Sequence, residues 1–171
     1  MFIWKDSLEV YMEQYSLNEI VELAVQIERN GYAFYDESLR RKDLDQRAVE
    51  LLTELRNQES NHEKIFLHLR DDKDLMMLGL SQDWEEVGNY MKAVVGSRLF
   101  NSPDAAIKLA GDAKNFLEIL KYAISFEKDT LLFFYSIYDN ISDEKSQKVI
   151  RKIINEEISH VVRLTEFHAQ G

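Results

Sequence analysis

Two Glu-x-x-His pairs interrupt helical stripes that are otherwise apolar, and they constrain the fold more than any other feature. The pairs are Glu59 with His62 and Glu157 with His160. Steps of three and four residues place each pair on one helix face with apolar neighbours, and an apolar face normally turns toward the core. A buried carboxylate and imidazole need compensation, and a metal ion is the most economical source of it. The apolar neighbours are Leu52, Leu55, Phe66 and Leu69 for the first pair and Ile150, Ile153, Leu164 and Phe167 for the second.

The rest of the chain also indicates helices. One proline and six glycines in 171 residues leave few turns for a many-stranded sheet. The length suits a single domain over residues 1–171. Ser102 followed by Pro103 predicts the start of one short crossover helix, and Asp83 with Glu86 predicts another. We predict long helices over about 17–39, 45–69, 115–138 and 143–168, with a crossover over about 79–112.

A weak internal repeat relates the two halves of the chain. With an offset of 99, residues 24–35 overlay residues 123–134, and Glu28 meets Glu127. With an offset of 98, the first Glu-x-x-His pair meets the second. Each long helix therefore carries one glutamate near its midpoint on the apolar face. The spacing favours an all-α, left-handed four-helix bundle built from two helical hairpins.

Four glutamates at one level of a dry bundle would repel one another and raise one another's pKa values. Two divalent cations would balance the four carboxylates and leave the histidines neutral. This ligand set resembles the di-metal sites of ferritin-like bundles, and the two-metal interpretation rests on that resemblance. We expect two bridging and two terminal glutamates, the bridges being Glu59 and Glu157, and two iron ions, with manganese or zinc as alternatives. The predicted ligands are Glu28, Glu59, His62, Glu127, Glu157 and His160.

The segments around these ligands resemble the rubrerythrin branch of the ferritin-like superfamily over about residues 17–168. They are QIERNGYAFY, NQESNHEKIF, ISFEKDTLLFF and INEEISHVVRL. The resemblance implies a ferritin-like di-iron oxidoreductase that reduces hydrogen peroxide or dioxygen in oxidative-stress defence. Full-length rubrerythrins also carry a rubredoxin-like domain with cysteine-bound iron, and this chain has no cysteine. The electrons would therefore come from a separate donor protein. Ile124 stands one turn before Glu127, where the family commonly has an extra carboxylate.

Other interpretations of the same residues stay open. The protein could be a ferroxidase or an iron-storage module, or a structural or regulatory protein with a vestigial site. The Glu-x-x-His pairs could form a metal-free polar network, and Glu28 and Glu127 could be solvated. Tyr32 and Tyr35 could contact ligands, although such aromatics more often belong to the core. Glu63 and Glu156, one position off the stripes, are expected to be exposed or to support ligands.

Charge and hydropathy argue against several kinds of partner. The net charge is −10, and no basic cluster is set apart from acidic residues, so we expect no nucleic-acid partner. No apolar run approaches the length that spans a bilayer. The first ten residues lack a secretory signal pattern. We expect a cytoplasmic protein without a membrane partner, and a homodimer because ferritin-like relatives are often dimers.

Overall fold

The computed structural model describes residues 17–71, 102–140 and 144–170. All the secondary structure in these ranges is helical. The four long helices lie within two residues of the predicted bounds at each end. The helices are α1 (Leu17–Ser38), α2 (Gln46–Asp71), α3 (Pro103–Asp112), α4 (Phe116–Asn140) and α5 (Glu144–Gln170).

Side-chain caps fix the start of three helices. Asp45 Oδ1 accepts a hydrogen bond from the Ala48 amide at 2.7 Å, before α2. Ser102 caps α3 with Pro103 as its first residue, as the Ser-Pro pair predicts. Asn115 Oδ1 accepts from the Glu118 amide at 3.0 Å, at the start of α4. Each cap satisfies an amide that has no partner within its own helix. The predicted crossover helix at Asp83 and Glu86 lies outside the described residues.

The four long helices pack as two hairpins side by side. Helix α1 packs against α2, α3 and α4, and α4 packs against α5. An ion pair of 2.6 Å between Arg163 Nη2 and Glu54 Oε2 links α5 to α2. The short helix α3 covers α1 with the buried side chains of Ala106 and Ala110. The part of the crossover that the structure describes therefore lies along the first hairpin.

The predicted apolar stripes form the core. Phe66 of α2 stacks on Phe134 of α4 with ring centroids 5.2 Å apart, and both rings are buried. Phe34 and Phe133 are also fully buried. Aromatic packing of this kind surrounds the polar residues at the helix midpoints with apolar surface. No helix in the described ranges has the length and apolar character needed to cross a membrane.

Candidate metal centre

The structure brings all six predicted ligands together in the middle of the bundle. Each long helix contributes one glutamate, and α2 and α5 each add a histidine one turn later. All six side chains are fully buried. The alternative that Glu28 and Glu127 are solvated is therefore wrong. The residues are Glu28 of α1, Glu59 and His62 of α2, Glu127 of α4, and Glu157 and His160 of α5.

These residues form two groups that could each hold a metal ion. The possible ligand atoms within each group lie within 4.8 Å of one another. Both groups contain Glu59 and Glu157, so these two carboxylates lie between the two positions. Each group offers three carboxylates and one imidazole. The first group is Glu28, Glu59, His62 and Glu157, and the second is Glu59, Glu127, Glu157 and His160.

Glu157 lies between the two imidazole rings and presents one oxygen to each. Its Oε1 is 2.8 Å from His62 Nδ1, and its Oε2 is 2.9 Å from His160 Nδ1. The two rings are nearly parallel, with centroids 5.9 Å apart. This is the geometry that a carboxylate needs in order to bridge two neighbouring positions.

The other carboxylates lie slightly farther from the imidazole nitrogens. Glu28 Oε2 is 3.4 Å from His62 Nδ1. Glu59 Oε1 and Glu127 Oε2 are each 3.5 Å from His160 Nδ1. Both Nδ1 atoms thus face the cluster of carboxylates, and each ring points its other nitrogen away from it.

Each outward-facing imidazole nitrogen has a partner on the opposite Glu-x-x-His helix. His62 Nε2 lies 2.6 Å from Glu156 Oε2, and His160 Nε2 lies 3.0 Å from Gln58 Oε1. Glu156 and Gln58 directly precede the two shared glutamates and are related by the offset of 98. For Glu156 the sequence predicts either an exposed residue or one that supports a ligand, and it does not identify Gln58. The internal repeat could have identified Gln58, because it overlays Glu156 at the offset of 98.

Within the described part of the chain, nine buried atoms of the six residues lack a hydrogen-bond partner. They include both oxygens of Glu28, Glu59 and Glu157, and Nδ1 of both histidines. The short distances to Nδ1 allow ion pairing without hydrogen-bond alignment. Buried polar atoms normally have partners, so this many in one place indicates that the polar network alone does not satisfy them. Four carboxylates and two imidazoles directed at a common centre fit two divalent cations.

Without metal, the protonation of the carboxylates is strongly perturbed. Burial raises the pKa of Glu59 well above its ordinary value, and the charges of Glu127 and Glu28 raise it further. Burial also raises the pKa of Glu28, with His62 opposing the change. For Glu127, burial and the charge of Glu157 raise the pKa to about 7. Some of these carboxyl groups therefore hold protons that a metal ion would displace.

The pKa values of the two histidines shift in the opposite direction from those of ordinary buried imidazoles. Burial by itself would lower the pKa of His62, but the carboxylates of Glu157 and Glu28 outweigh it and raise it to about 11. The same balance, with Glu127 and Glu157, raises the pKa of His160 to about 10. Burial opposes ionisation of Glu157, yet the two imidazoles hold its pKa below the ordinary value. In the metal-free protein the histidines act as the counter-charge.

Tyr35 contributes both to the core and to the site. Its ring is fully buried, and its hydroxyl donates a hydrogen bond to Glu127 Oε1. Burial and the nearby charge of Glu127 raise the pKa of this phenol well above its usual value, so it remains a donor. Tyr32 is 39% exposed and lies near the Arg56 guanidinium instead. Tyr35 is therefore the tyrosine of this pair that contacts a predicted ligand.

Gly31 provides room for a predicted ligand, and sequence analysis did not identify it. A Cβ atom added there would lie 2.5 Å from Glu59 Oε2 and 2.9 Å from Phe126 Cε1. The Glu59 carboxylate therefore packs directly against the α1 backbone. Glu63, by contrast, pairs with Arg29 at 2.7 Å and is partly exposed. Ile124 is partly buried against the core, where it supplies no oxygen ligand.

Comparison with solved structures places this architecture among known folds. A protein from Thermotoga maritima, classed provisionally in its crystal structure as a ferritin-like diiron-carboxylate protein, aligns with a TM-score of 0.67. The two sequences are 23% identical, and the alignment covers 91% of this chain and 96% of that one. No protein-family model and no curated protein matches the chain. The structural likeness confirms the predicted all-α ferritin-like bundle, whereas the rubrerythrin branch and the role of the six residues as ligands stay predictions.

Proposed function

We propose that this protein is a non-haem di-iron oxidoreductase that reduces hydrogen peroxide or dioxygen with electrons from a separate redox protein. The observation that carries the proposal is the pair of buried four-ligand groups that share Glu59 and Glu157. Three carboxylates and one imidazole at each position suit iron or manganese. The fold shared with a protein classed as a diiron-carboxylate protein favours iron.

The proposed ligand roles follow from the two groups. Glu28 and His62 would be terminal ligands at one position, which we call the His62 position. Glu127 and His160 would serve the other, the His160 position. Glu59 and Glu157 would bridge the two. Two divalent cations cancel four carboxylate charges, so metal binding would remove the burial penalty and the mutual repulsion that raise the pKa values of these glutamates.

When bound in the ferrous state, an iron pair supplies two electrons, which with two protons reduce one hydrogen peroxide molecule to two molecules of water. The protein's own residues prepare the place for this reaction. Glu59 and Glu157 would hold the two positions close together, and Tyr35 fixes the orientation of Glu127 through its hydroxyl. The aromatic side chains of Phe66 and Phe134 form part of the apolar core around the site. An apolar shell limits water access and tunes the potential of a bound metal.

Metal content and peroxide consumption together test the proposal. Protein purified without added metal should contain up to two iron ions per chain and should consume peroxide when a reductant is supplied. Glu59→Ala and Glu157→Ala should each abolish the two-metal stoichiometry. Glu63→Gln is a matched control on α2, because Glu63 contacts Arg29 and not the site.

Three results would contradict the proposal in different ways. Two metals per chain in both alanine variants would show that the ligand assignment is wrong. Iron uptake beyond two per chain, without peroxide turnover, would favour iron storage instead. Absence of bound metal, with no thermal stabilisation by ferrous iron or manganese, would indicate a vestigial site.

A further inference from the structure

The two histidines at the site have chemically different partners at repeat-related positions. Glu156 faces His62 Nε2 at 2.6 Å, and Gln58 faces His160 Nε2 at 3.0 Å. An offset of 98 overlays Gln58 on Glu156 and His62 on His160. The backbone positions are thus equivalent, while one partner is a carboxylate and the other a neutral amide.

A carboxylate partner fixes the tautomer of an imidazole. Ionised Glu156 can only accept a hydrogen bond, so His62 Nε2 must carry the hydrogen. In the neutral ring the lone pair is then on Nδ1, which faces Glu157 and Glu28 at the His62 position. When His62 loses the extra proton that it carries in the metal-free protein, the nitrogen left open is therefore the one that faces the site. Lys152 Nζ lies 3.7 Å from Glu156 Oε1 on the same helix.

An amide partner does not fix the tautomer. The Gln58 side chain has an oxygen that accepts and an NH₂ group that donates, on arms of similar shape. Once His160 is neutral, a Gln58 oxygen toward the ring leaves the hydrogen on Nε2, and Nδ1 is free to bind a metal. With the NH₂ group toward His160, the hydrogen moves to Nδ1 and blocks binding. Metal binding at the His160 position therefore has to select one of two arrangements.

The two proposed terminal glutamates, Glu127 and Glu28, also differ in their surroundings. This difference again favours the His62 position. Tyr35 donates a hydrogen bond to Glu127 Oε1, which draws electron density from that ligand. The offset of 99 places Phe134 at the equivalent position in the other half, and a phenyl ring has no donor. In the described part of the chain, both oxygens of Glu28 lack a hydrogen-bond partner. Glu28 thus keeps its full capacity as a ligand.

We propose that the two metal positions are inequivalent, with the His62 position filling first because Glu156 fixes and polarises His62 while Gln58 leaves His160 adjustable. This inference rests on the proposed metal pair. Hydrogen bonds to a charged group are about twice as strong as neutral ones. A partner that holds a ligand histidine changes metal affinity by about 10- to 100-fold. Glu156 is therefore a positioning residue that acts through His62.

Histidine NMR can follow the two positions separately. The chain has four histidines, of which His68 and His168 lie outside the site and can be assigned with His68→Gln and His168→Gln variants. Protein labelled with ¹⁵N-histidine would be titrated with Zn²⁺ alone. In the natural sequence, the His62 ring nitrogens should shift with the first equivalent and those of His160 with the second. Simultaneous shifts of both rings would overturn the inference.

Exchanging the two partners provides the matched variants. Glu156→Gln should weaken the first binding step by about 10- to 100-fold. Gln58→Glu should tighten binding at His160, a gain that a loss of structure could not produce. In the double variant, His160 should respond first. An unchanged order in the double variant would refute the role of the partners, whereas failure of the natural protein to bind Zn²⁺ would refute the proposed metal site itself.

Discussion

Replacing Gly31 with alanine tests whether the carboxylate of Glu59, which we propose as a bridge, needs the space beside α1. The new Cβ would lie 2.5 Å from Glu59 Oε2, and ordinary contact begins near 3.4 Å. The oxygen would have to retreat by about 0.9 Å (3.4 minus 2.5), and the ring of Phe126 by about 0.5 Å (3.4 minus 2.9). Metal–oxygen distances in protein sites vary by only about 0.2 Å from their usual values. The displacement therefore exceeds what a bridging ligand can absorb.

The same substitution should lower the stability of the metal-free fold only moderately. Alanine is favoured over glycine inside a helix by about 1 kcal/mol. Overpacking of a core costs about 1–3 kcal/mol. The terminal oxygen of Glu59 can also move when no metal holds it. We expect a loss of at most about 2 kcal/mol in the free energy of unfolding, with metal affinity reduced about tenfold or more, which corresponds to at least about 1.4 kcal/mol.

Urea denaturation of metal-free protein and Mn²⁺ titration followed by electron paramagnetic resonance separate these two effects. Gly111→Ala is the control, since Gly111 is an exposed helical glycine whose added Cβ would come no closer than 3.9 Å to Glu37 Oε1. The control should bind Mn²⁺ as the natural protein does. If Gly31→Ala also binds two Mn²⁺ ions with unchanged affinity, Glu59 does not bridge the metals from this position.

Three further measurements examine the charge balance and the packing. In the metal-free protein, the raised pKa values of His62 and His160 stabilise the fold below about pH 6.5, and this stabilisation is lost as pH rises toward about 10 and about 11. The melting temperature should therefore fall between about pH 7 and about pH 9, and a rise would contradict the assigned charges. Phe134→Ala should cost about 3–5 kcal/mol in urea denaturation because it removes a fully buried ring stacked on a neighbour. Arg163→Ala removes a partly exposed ion pair with Glu54 and should cost only about 0.2–1 kcal/mol in the same assay.

The helices and the inward-facing residues could be predicted because both depend on local sequence. Apolar residues at three- and four-residue steps identify the buried face of each long helix, and Glu28 and Glu127 fall on those faces. Ser102 followed by Pro103 identifies the start of α3. Four faces that each carry one glutamate can only be buried together if the helices meet at that level.

Features that depend on a neighbouring helix could not be predicted in the same way. The contact between Gln58 and His160 joins α2 to α5, and nothing near Gln58 in the sequence identifies its partner. The close approach of Glu59 to Gly31 depends on the separation of α1 and α2, which periodicity does not specify. Tyr35 lies on a predicted core stripe, so its hydrogen bond to Glu127 could not be distinguished from simple packing.

The internal repeat matches at the six predicted ligands but differs at three residues that contact them. Gln58 overlays Glu156, Tyr35 overlays Phe134 and Gly31 overlays the buried residue Thr130. A change in a ligand would remove a metal position, whereas a change in a neighbour alters its affinity while keeping the coordination geometry. The two halves can therefore differ at the residues that touch the ligands without losing a metal position. A variant with both Gln58→Glu and Tyr35→Phe has matching residues at these positions in the two halves. Its two metal affinities should be closer to one another, and it should still bind two metal ions per chain.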